Sequence, residues 1–205
     1  MLEVSGLECL RGRRRLFGDL TFSVHPGELL YVQGANGSGK TSLLRILAGL
    51  SRQESGAVLW NGTEVRESRE DYAASLLYLG HHPAVKDDLA VAENLVVSSR
   101  LAGLELPRKD MDAALEVVGL GRRTTLPARV LSQGQRRRLA LARLWLDQRP
   151  LWILDEPFTA LDMHASALLE ERLEQHLAEG GMVVLTTHQP PTIHQDFLRV
   201  LHLSV

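Results

Sequence analysis

Gly34-Ala35-Asn36-Gly37-Ser38-Gly39-Lys40-Thr41, entered from Leu29-Leu30-Tyr31-Val32 and left through Ser42-Leu43-Leu44-Arg45-Ile46-Leu47, reads as a buried strand, a glycine-rich turn and a helix. Gly34, Gly37 and Gly39 lack a Cβ, so the backbone can adopt positive φ and turn successive N–H groups toward one phosphate. The helix opening near Gly39 adds its unpaired N–H groups and the positive end of its dipole. Lys40 supplies a compact ammonium for β- and γ-phosphates, and the Thr41 hydroxyl suits Mg²⁺, a hard cation that prefers oxygen. An ordinary glycine-rich turn is the bland alternative. The strand before the loop and the helix after it favour a phosphate-binding loop, lined by Gly34 to Ser42, for a magnesium-bound nucleoside triphosphate.

At 205 residues the chain can bury about 70–75% of its unfolded surface, enough for one full core and tight for two large domains. The single cysteine, Cys9, has no intrachain partner and reads as a core thiol. A net charge of −2 argues against a generally basic nucleic-acid binder. Met1-Leu-Glu-Val-Ser-Gly has no charged region followed by an apolar run, and no stretch of about 18 apolar residues occurs, so the chain is expected not to cross a membrane itself.

Around the loop the pattern is mixed. Leu20, Phe22 and Val24 alternate with polar neighbours and stop at Pro26-Gly27, as a half-buried strand does. Ala57-Val58-Leu59-Trp60 and Thr63-Glu64-Val65 flank Asn61-Gly62, a strong hairpin signal because both central residues tolerate positive φ. From about Val91 to Leu146 the apolar spacing is helical, with breaks at Gly103, Pro107 and Gly119. Leu151-Trp152-Ile153-Leu154 and Met182-Val183-Val184-Leu185 then read as parallel strands covered on both faces. The expected fold is α/β and one domain: a nucleotide core with an antiparallel β layer over about 1–87 and 147–205, interrupted by a helical lobe over about 88–146.

Asp155 and Glu156 close the first of those strands, where ligands collect in an open α/β sheet. Asp155 can hold magnesium directly or through water, and Glu156 is placed to polarise an attacking water. Leu131-Ser132-Gln133-Gly134-Gln135 stands before the helical run Arg136 to Arg143 and ahead of Asp155. Ser132 and Gly134 offer a hydroxyl and N–H groups near a helix start, a second phosphate-binding arrangement in one chain, with a plain serine helix cap as the alternative.

That order resembles the ATP-binding-cassette (ABC) ATPases, whose signature is this pentapeptide. The resemblance implies a P-loop fold with a RecA-like core, and two cassettes paired head to tail on ATP binding. The Ser132, Gly134 and Gln135 region of each would then close over the nucleotide of the other. Thr159-Ala160-Leu161-Asp162 resembles the family's D-loop, and His188, after Leu185-Thr186-Thr187, resembles its γ-phosphate switch histidine. In the family's terms Lys40, Glu156 and His188 are the catalytic set, and Thr41 and Asp155 hold the metal.

Two positions depart from the family pattern. Alignment on Leu89-Ala-Val-Ala-Glu-Asn94-Leu puts His81 where a glutamine is expected, so its contact with magnesium would run through water or give way to coupling with a transport subunit. The His81-His82 pair also invites a metal or haem reading, against which adjacent side chains on an extended backbone point apart. Arg11 falls where relatives stack an aromatic ring on adenine; its guanidinium plane can do the same, with Phe17 assigned to the core.

Leu79-Gly80-His81-His82-Pro83-Ala84-Val85-Lys86, Leu139 to Leu146, Trp152 to Asp162 and Thr186-Thr-His-Gln-Pro190 together are similar to the cytochrome c maturation protein A family. The similarity implies an ATPase subunit peripheral to the cytoplasmic face of the inner membrane, working with cytochrome c maturation proteins B and C in haem export or haem-chaperone release. No direct nucleic-acid partner is expected. Two alternatives stand beside it: the ATPase of another small exporter, and a soluble ATP switch using Arg13–Arg15 and Arg136–Arg138 on nucleic-acid phosphates. Three consecutive helical arginines more often form a solvated or intersubunit surface.

Overall fold

A computed structural model of the chain describes residues 1–203. The first elements are strands β1 (Leu2–Arg11), β2 (Arg14–Val24) and β3 (Leu29–Gln33), helix α1 (Lys40–Leu47), strands β4 (Ser55–Trp60) and β5 (Thr63–Glu64), helix α2 (Arg69–Ser75) and strand β6 (Leu76–Leu79). Helices α3 (Val91–Leu101), α4 (Arg108–Val117) and α5 (Gln133–Leu141) follow, then β7 (Leu151–Asp155), α6 (Met163–Ala178), β8 (Met182–Thr186) and β9 (Leu198–His202).

The chain groups into two compact units. The first comprises residues 1–78, 149–156 and 173–203, and the second 79–148 and 157–172. The second unit thus takes in 157–172 as well as the helical stretch read from the sequence, because the segment after Glu156 packs with the signature helix.

The first unit holds a five-stranded sheet in the order β6-β7-β8-β3-β9 and a four-stranded antiparallel layer in the order β2-β1-β4-β5. In the five-stranded sheet β7/β8, β8/β3 and β3/β9 all pair parallel. Every residue of β7 and β8 is buried, as their unbroken apolar runs require. Leu43, Leu44, Ile46 and Leu47 of α1 join the same core as Leu7, Phe17 and Val24 of the antiparallel layer. Cys9 and Phe17 are both buried, and burial raises the thiol pKa of Cys9. Trp60 pairs with Thr63 across the Asn61-Gly62 turn, whose φ angles of 51° and 83° suit its tight reversal.

The second unit has its own core of Val91, Leu95, Leu115, Val118, Leu120, Leu131 and Leu139. Asn94 ties the preceding loop to α3: its Oδ1 accepts from Lys86 N at 2.7 Å, and its Nδ2 donates to the carbonyls of Lys86, Leu89 and Ala90.

The register between β1 and β4 shifts between Ser5 and Glu8, beside Gly56, whose φ is +83°. A Cβ on Gly56 would lie 2.4 Å from the Gly6 carbonyl oxygen and 2.5 Å from that of Ser5, both rigid backbone. Gly56→Ala should therefore lower stability by about 1–3 kcal/mol, read as a reduced urea midpoint with an unchanged m-value.

Candidate active site

Parallel pairing brings three chain segments to one edge of the five-stranded sheet. Thr186 is in register with Val32 of β3 on one side and Asp155 of β7 on the other. The chain therefore leaves β3 into the glycine-rich loop, β7 into Glu156, and β8 into Thr187 and His188 at the same carboxyl edge.

The loop is built for close approach of an anion. Gly37 and Gly39 have φ of 80° and 101°, and Gly39 caps α1; Gly34, expected to share that conformation, does not take positive φ and needs glycine for space alone. A Cβ on Gly34 would stand 2.6 Å from Ser38 Oγ and 2.9 Å from the Leu203 carbonyl oxygen; one on Gly39 would stand 3.1 Å from both Leu16 and Phe17. Lys40 Nζ lies inside the turn, donating to the carbonyls of Gly34 at 2.7 Å and Ala35 at 3.3 Å. Ser38 is 1% exposed, and its hydroxyl has no hydrogen-bond partner among the described residues. Ala35, Asn36, Gly37 and Thr41 are exposed, and Ser42 is half-buried. A cradle that a Cβ would fill, a buried hydroxyl without a partner and oxygen donors at Thr41 and Asp155 together fit a triphosphate carrying a hard divalent cation.

Asp155 is buried, and its Oδ1 accepts from the Thr186 hydroxyl at 2.8 Å. Glu156 follows at φ 53°, a strained value for a non-glycine residue; its N–H donates to both the carbonyl and the hydroxyl oxygen of Thr186, each at 3.1 Å. Its carboxylate Oε1 lies 3.7 Å from His188 Nε2, the Glu156 side chain 10% exposed and that of His188 68%. Beneath them Tyr31 donates its hydroxyl to the Thr187 carbonyl at 3.1 Å, and burial, then the charge of Glu156, raises its pKa. Tyr78, at the end of β6, is raised by burial first and then by Asp155, with Arg45 opposing. Arg11 ends β1, exposed and in register with Arg14.

The signature residues belong to the second unit. Ser132 Oγ accepts from Gln135 N at 3.3 Å while Gln135 Oε1 accepts from Ser132 N at 3.0 Å, a capping box that starts α5. A Cβ on Gly134 would lie 2.7 Å from the Ala160 carbonyl oxygen, so glycine lets the helix start meet the segment before Asp162. Asp162 Oδ1 accepts from Ala165 N at 2.8 Å in the first turn of α6.

Two expectations from the sequence are corrected in this unit. Arg137 is 3% exposed: its Nε donates to the Pro157 carbonyl at 3.2 Å, and its Nη1 to the carbonyls of Gly80 at 3.1 Å and His81 at 3.4 Å. Arg136 bonds Asp87 and the Leu131 carbonyl, and Arg138 bonds the Val118 carbonyl. The run Arg136–Arg138 is therefore structural stapling rather than solvated surface, since the helix has carbonyl-rich loops on more than one side. His81 and His82 lie on a bend rather than in extended backbone, and their rings meet edge to face at 5.1 Å. No group of three or more metal-ligating side chains occurs among the described residues.

Sequence reasoning missed Thr186, Tyr31 and Arg137. Thr186 alone carried a readable signal, a hydroxyl closing an otherwise apolar strand two residues before His188.

Comparison with known proteins identifies the family and the fold. The family model "ABC transporter" matches residues 17–159. The chain belongs to the ABC transporter family. Among its ATP-binding proteins, the chain is 56% identical over 92% of its length, and 89% of the relative's, to the "Cytochrome c biogenesis ATP-binding export protein CcmA" of Nitrosomonas europaea. It is 51% identical, over the whole of both chains, to the protein of the same name from Dechloromonas aromatica. A solved structure titled "Structure of ATP binding subunit of ABC transporter" superposes with a TM-score of 0.87 at 27% identity, covering 100% of this chain and 88% of that one. The fold is thus the P-loop α/β fold of ABC ATPases, and the chain is an ATP-binding ABC ATPase of the CcmA branch.

Gly34→Ala should weaken ATP binding at least tenfold, because its Cβ would strike Ser38 Oγ and the Leu203 carbonyl and force the turn open. Titration with a fluorescent ATP analogue checks this.

Proposed function

We propose that this chain is the ATP-hydrolysing subunit of a transporter complex of cytochrome c biogenesis, coupling ATP binding and hydrolysis to haem export or to release of a haem-loaded chaperone. The observation that carries the reading is the row formed by the loop after Val32, Thr186 and the Asp155-Glu156 pair on one sheet edge, in a chain 56% identical to a cytochrome c biogenesis export protein.

The chemistry is in-line attack of water on the γ-phosphate of ATP. Lys40 exchanges the carbonyls of Gly34 and Ala35 for phosphate oxygens, and the amides from Gly34 to Ser42 share the remaining charge. The Thr41 hydroxyl and the Asp155 carboxylate would hold Mg²⁺, which when bound neutralises charge on the β- and γ-phosphates. Glu156 takes a proton from the attacking water. His188, beside Glu156, donates to the γ-phosphate and reports its loss. Lys40, Glu156 and His188 are thus the catalytic group, and Arg11 stacks on the adenine.

The site is completed by a second copy of the chain. In the cap Ser132 Oγ and Gln135 Oε1 only accept, which leaves the Ser132 O–H and the free first-turn N–H groups of α5 around Gly134 as the anion donors toward the partner's nucleotide. Asp162, fixing the start of α6, belongs to the crossing segment between the copies. ATP binds the closed pair better than the open pair, and hydrolysis removes that bias. His81 stands in the glutamine-loop position, where it would act toward magnesium through water or in coupling to the transport subunit; Arg137 holds its carbonyl.

No helix among the described residues is long and apolar enough to cross a membrane, so the membrane-spanning part falls to partners, the cytochrome c maturation proteins B and C. The chain would lie peripherally on the cytoplasmic face of the inner membrane. A soluble switch on nucleic acid is disfavoured because Arg137 is buried and Arg136 and Arg138 bond within the chain.

Glu156→Gln should lower kcat by about 10²–10⁴-fold and leave ATP binding intact, checked by phosphate release and nucleotide titration. Deletion of the gene in its host should abolish covalent haem in c-type cytochromes on a haem-stained gel. Normal staining would instead assign the chain to another exporter.

A further inference from the structure

Thr186 occupies the centre of the edge just described, on the strand between the loop strand and the acidic strand, with no solvent exposure. The four residues before it, Met182 to Leu185, are all apolar. A valine would fill the same space, and a buried hydroxyl costs free energy unless it is hydrogen-bonded. Its two bonds are unlike each other. Asp155 Oδ1, at 2.8 Å, can only accept when ionised, and Glu156 N–H, at 3.1 Å, can only donate. The single hydroxyl proton is therefore directed: it goes to Asp155, and the lone pair on the same oxygen receives Glu156.

Both bonds bear on groups assigned to the reaction. The bond to Oδ1 fixes the rotation of the Asp155 carboxylate about Cβ–Cγ. The bond from Glu156 N–H, shared with the Thr186 carbonyl, holds the peptide at which the chain leaves β7 at φ 53°. In a regular strand the side chain after Asp155 would point to the opposite face. The positive φ breaks that alternation, and Thr186 supplies two acceptors to the amide that must stay there.

We propose that Thr186 is a positioning residue: its hydroxyl locks the carboxylate that holds magnesium and the carboxylate that activates water into one fixed relation. The proposal rests on the assignment of Asp155 and Glu156 made under the proposed function. Thr186 touches neither nucleotide nor water in this role and acts through its two neighbours.

The test compares the full-length parent with Thr186→Val, which removes only the hydroxyl bonds, Thr186→Ser, which keeps them, and Thr186→Ala, which stands in should the valine variant fail to fold. Thermal melting is followed with ATP in EDTA, then across a magnesium titration, alongside steady-state ATP hydrolysis. ATP without magnesium should stabilise all the folded variants alike. The further, magnesium-dependent gain should need about 10–100-fold more Mg²⁺ in Thr186→Val, as for loss of other hydrogen bonds that orient metal ligands, with kcat falling in parallel. Thr186→Ser should restore both to the parent values. An unchanged magnesium requirement in Thr186→Val, or a serine variant as impaired as the valine one, overturns the proposal while leaving the nucleotide site standing. A parent that gains no stability from ATP overturns the site assignment and this proposal with it.

Discussion

The register of three parallel strands is the constraint on which the rest of the molecule depends. Val32, Thr186 and Asp155 lie level across β3, β8 and β7, so the residues that follow each leave the sheet at the same height. A slip of one residue in either pairing would turn Asp155 or Thr186 to the opposite face and dissolve the group. The register is protected by burial on every residue of β7 and β8, and by α1, whose apolar residues share one core with these strands. Hydrophobic packing thus does the placing, and the polar atoms at the edge inherit their positions from it.

The second unit adds a buried charge to its apolar core. Arg137 projects from α5 into its interior and collects the carbonyls of Gly80, His81 and Pro157. These residues follow closely on Tyr78 and Glu156, where the chain passes from the first unit into the second. An arginine suits this task because its planar fork donates in several directions at once. The signature helix, the segment carrying His81 and the segment after Glu156 are held by one guanidinium.

Much of this was legible in the residues. The glycine loop declared itself through Gly34, Gly37, Gly39 and Lys40, because the turn needs room beside Gly34 and positive φ at Gly37 and Gly39, and the Asn61-Gly62 hairpin did so through its demand for positive φ. The paired strands at Leu151 and Met182 were equally plain, since a strand covered on both faces has no polar alternation. What escaped was long-range. Nothing in Arg136-Arg137-Arg138 distinguishes the buried arginine from its neighbours, because its carbonyl partners lie 20 and more than 50 residues away. The bend at His81 and His82 was hidden for the same reason: the carbonyls of Gly80 and His81 are held by Arg137 of α5, so local preference for extended chain does not decide it. Glu156 could be named as a candidate base, but its positive φ depends on Thr186 of a strand 30 residues further along.

Cys9 carries a practical consequence of another kind. The chain's only sulfhydryl lies on β1 of the antiparallel layer, buried among the core residues, and burial disfavours the reactive thiolate. Maleimide reagents would therefore find almost nothing to attack on the native fold, and the natural polypeptide serves as its own dark background. A cysteine introduced at an exposed position such as Leu101 or Met163 could carry a spin label or fluorophore without first stripping out the resident one.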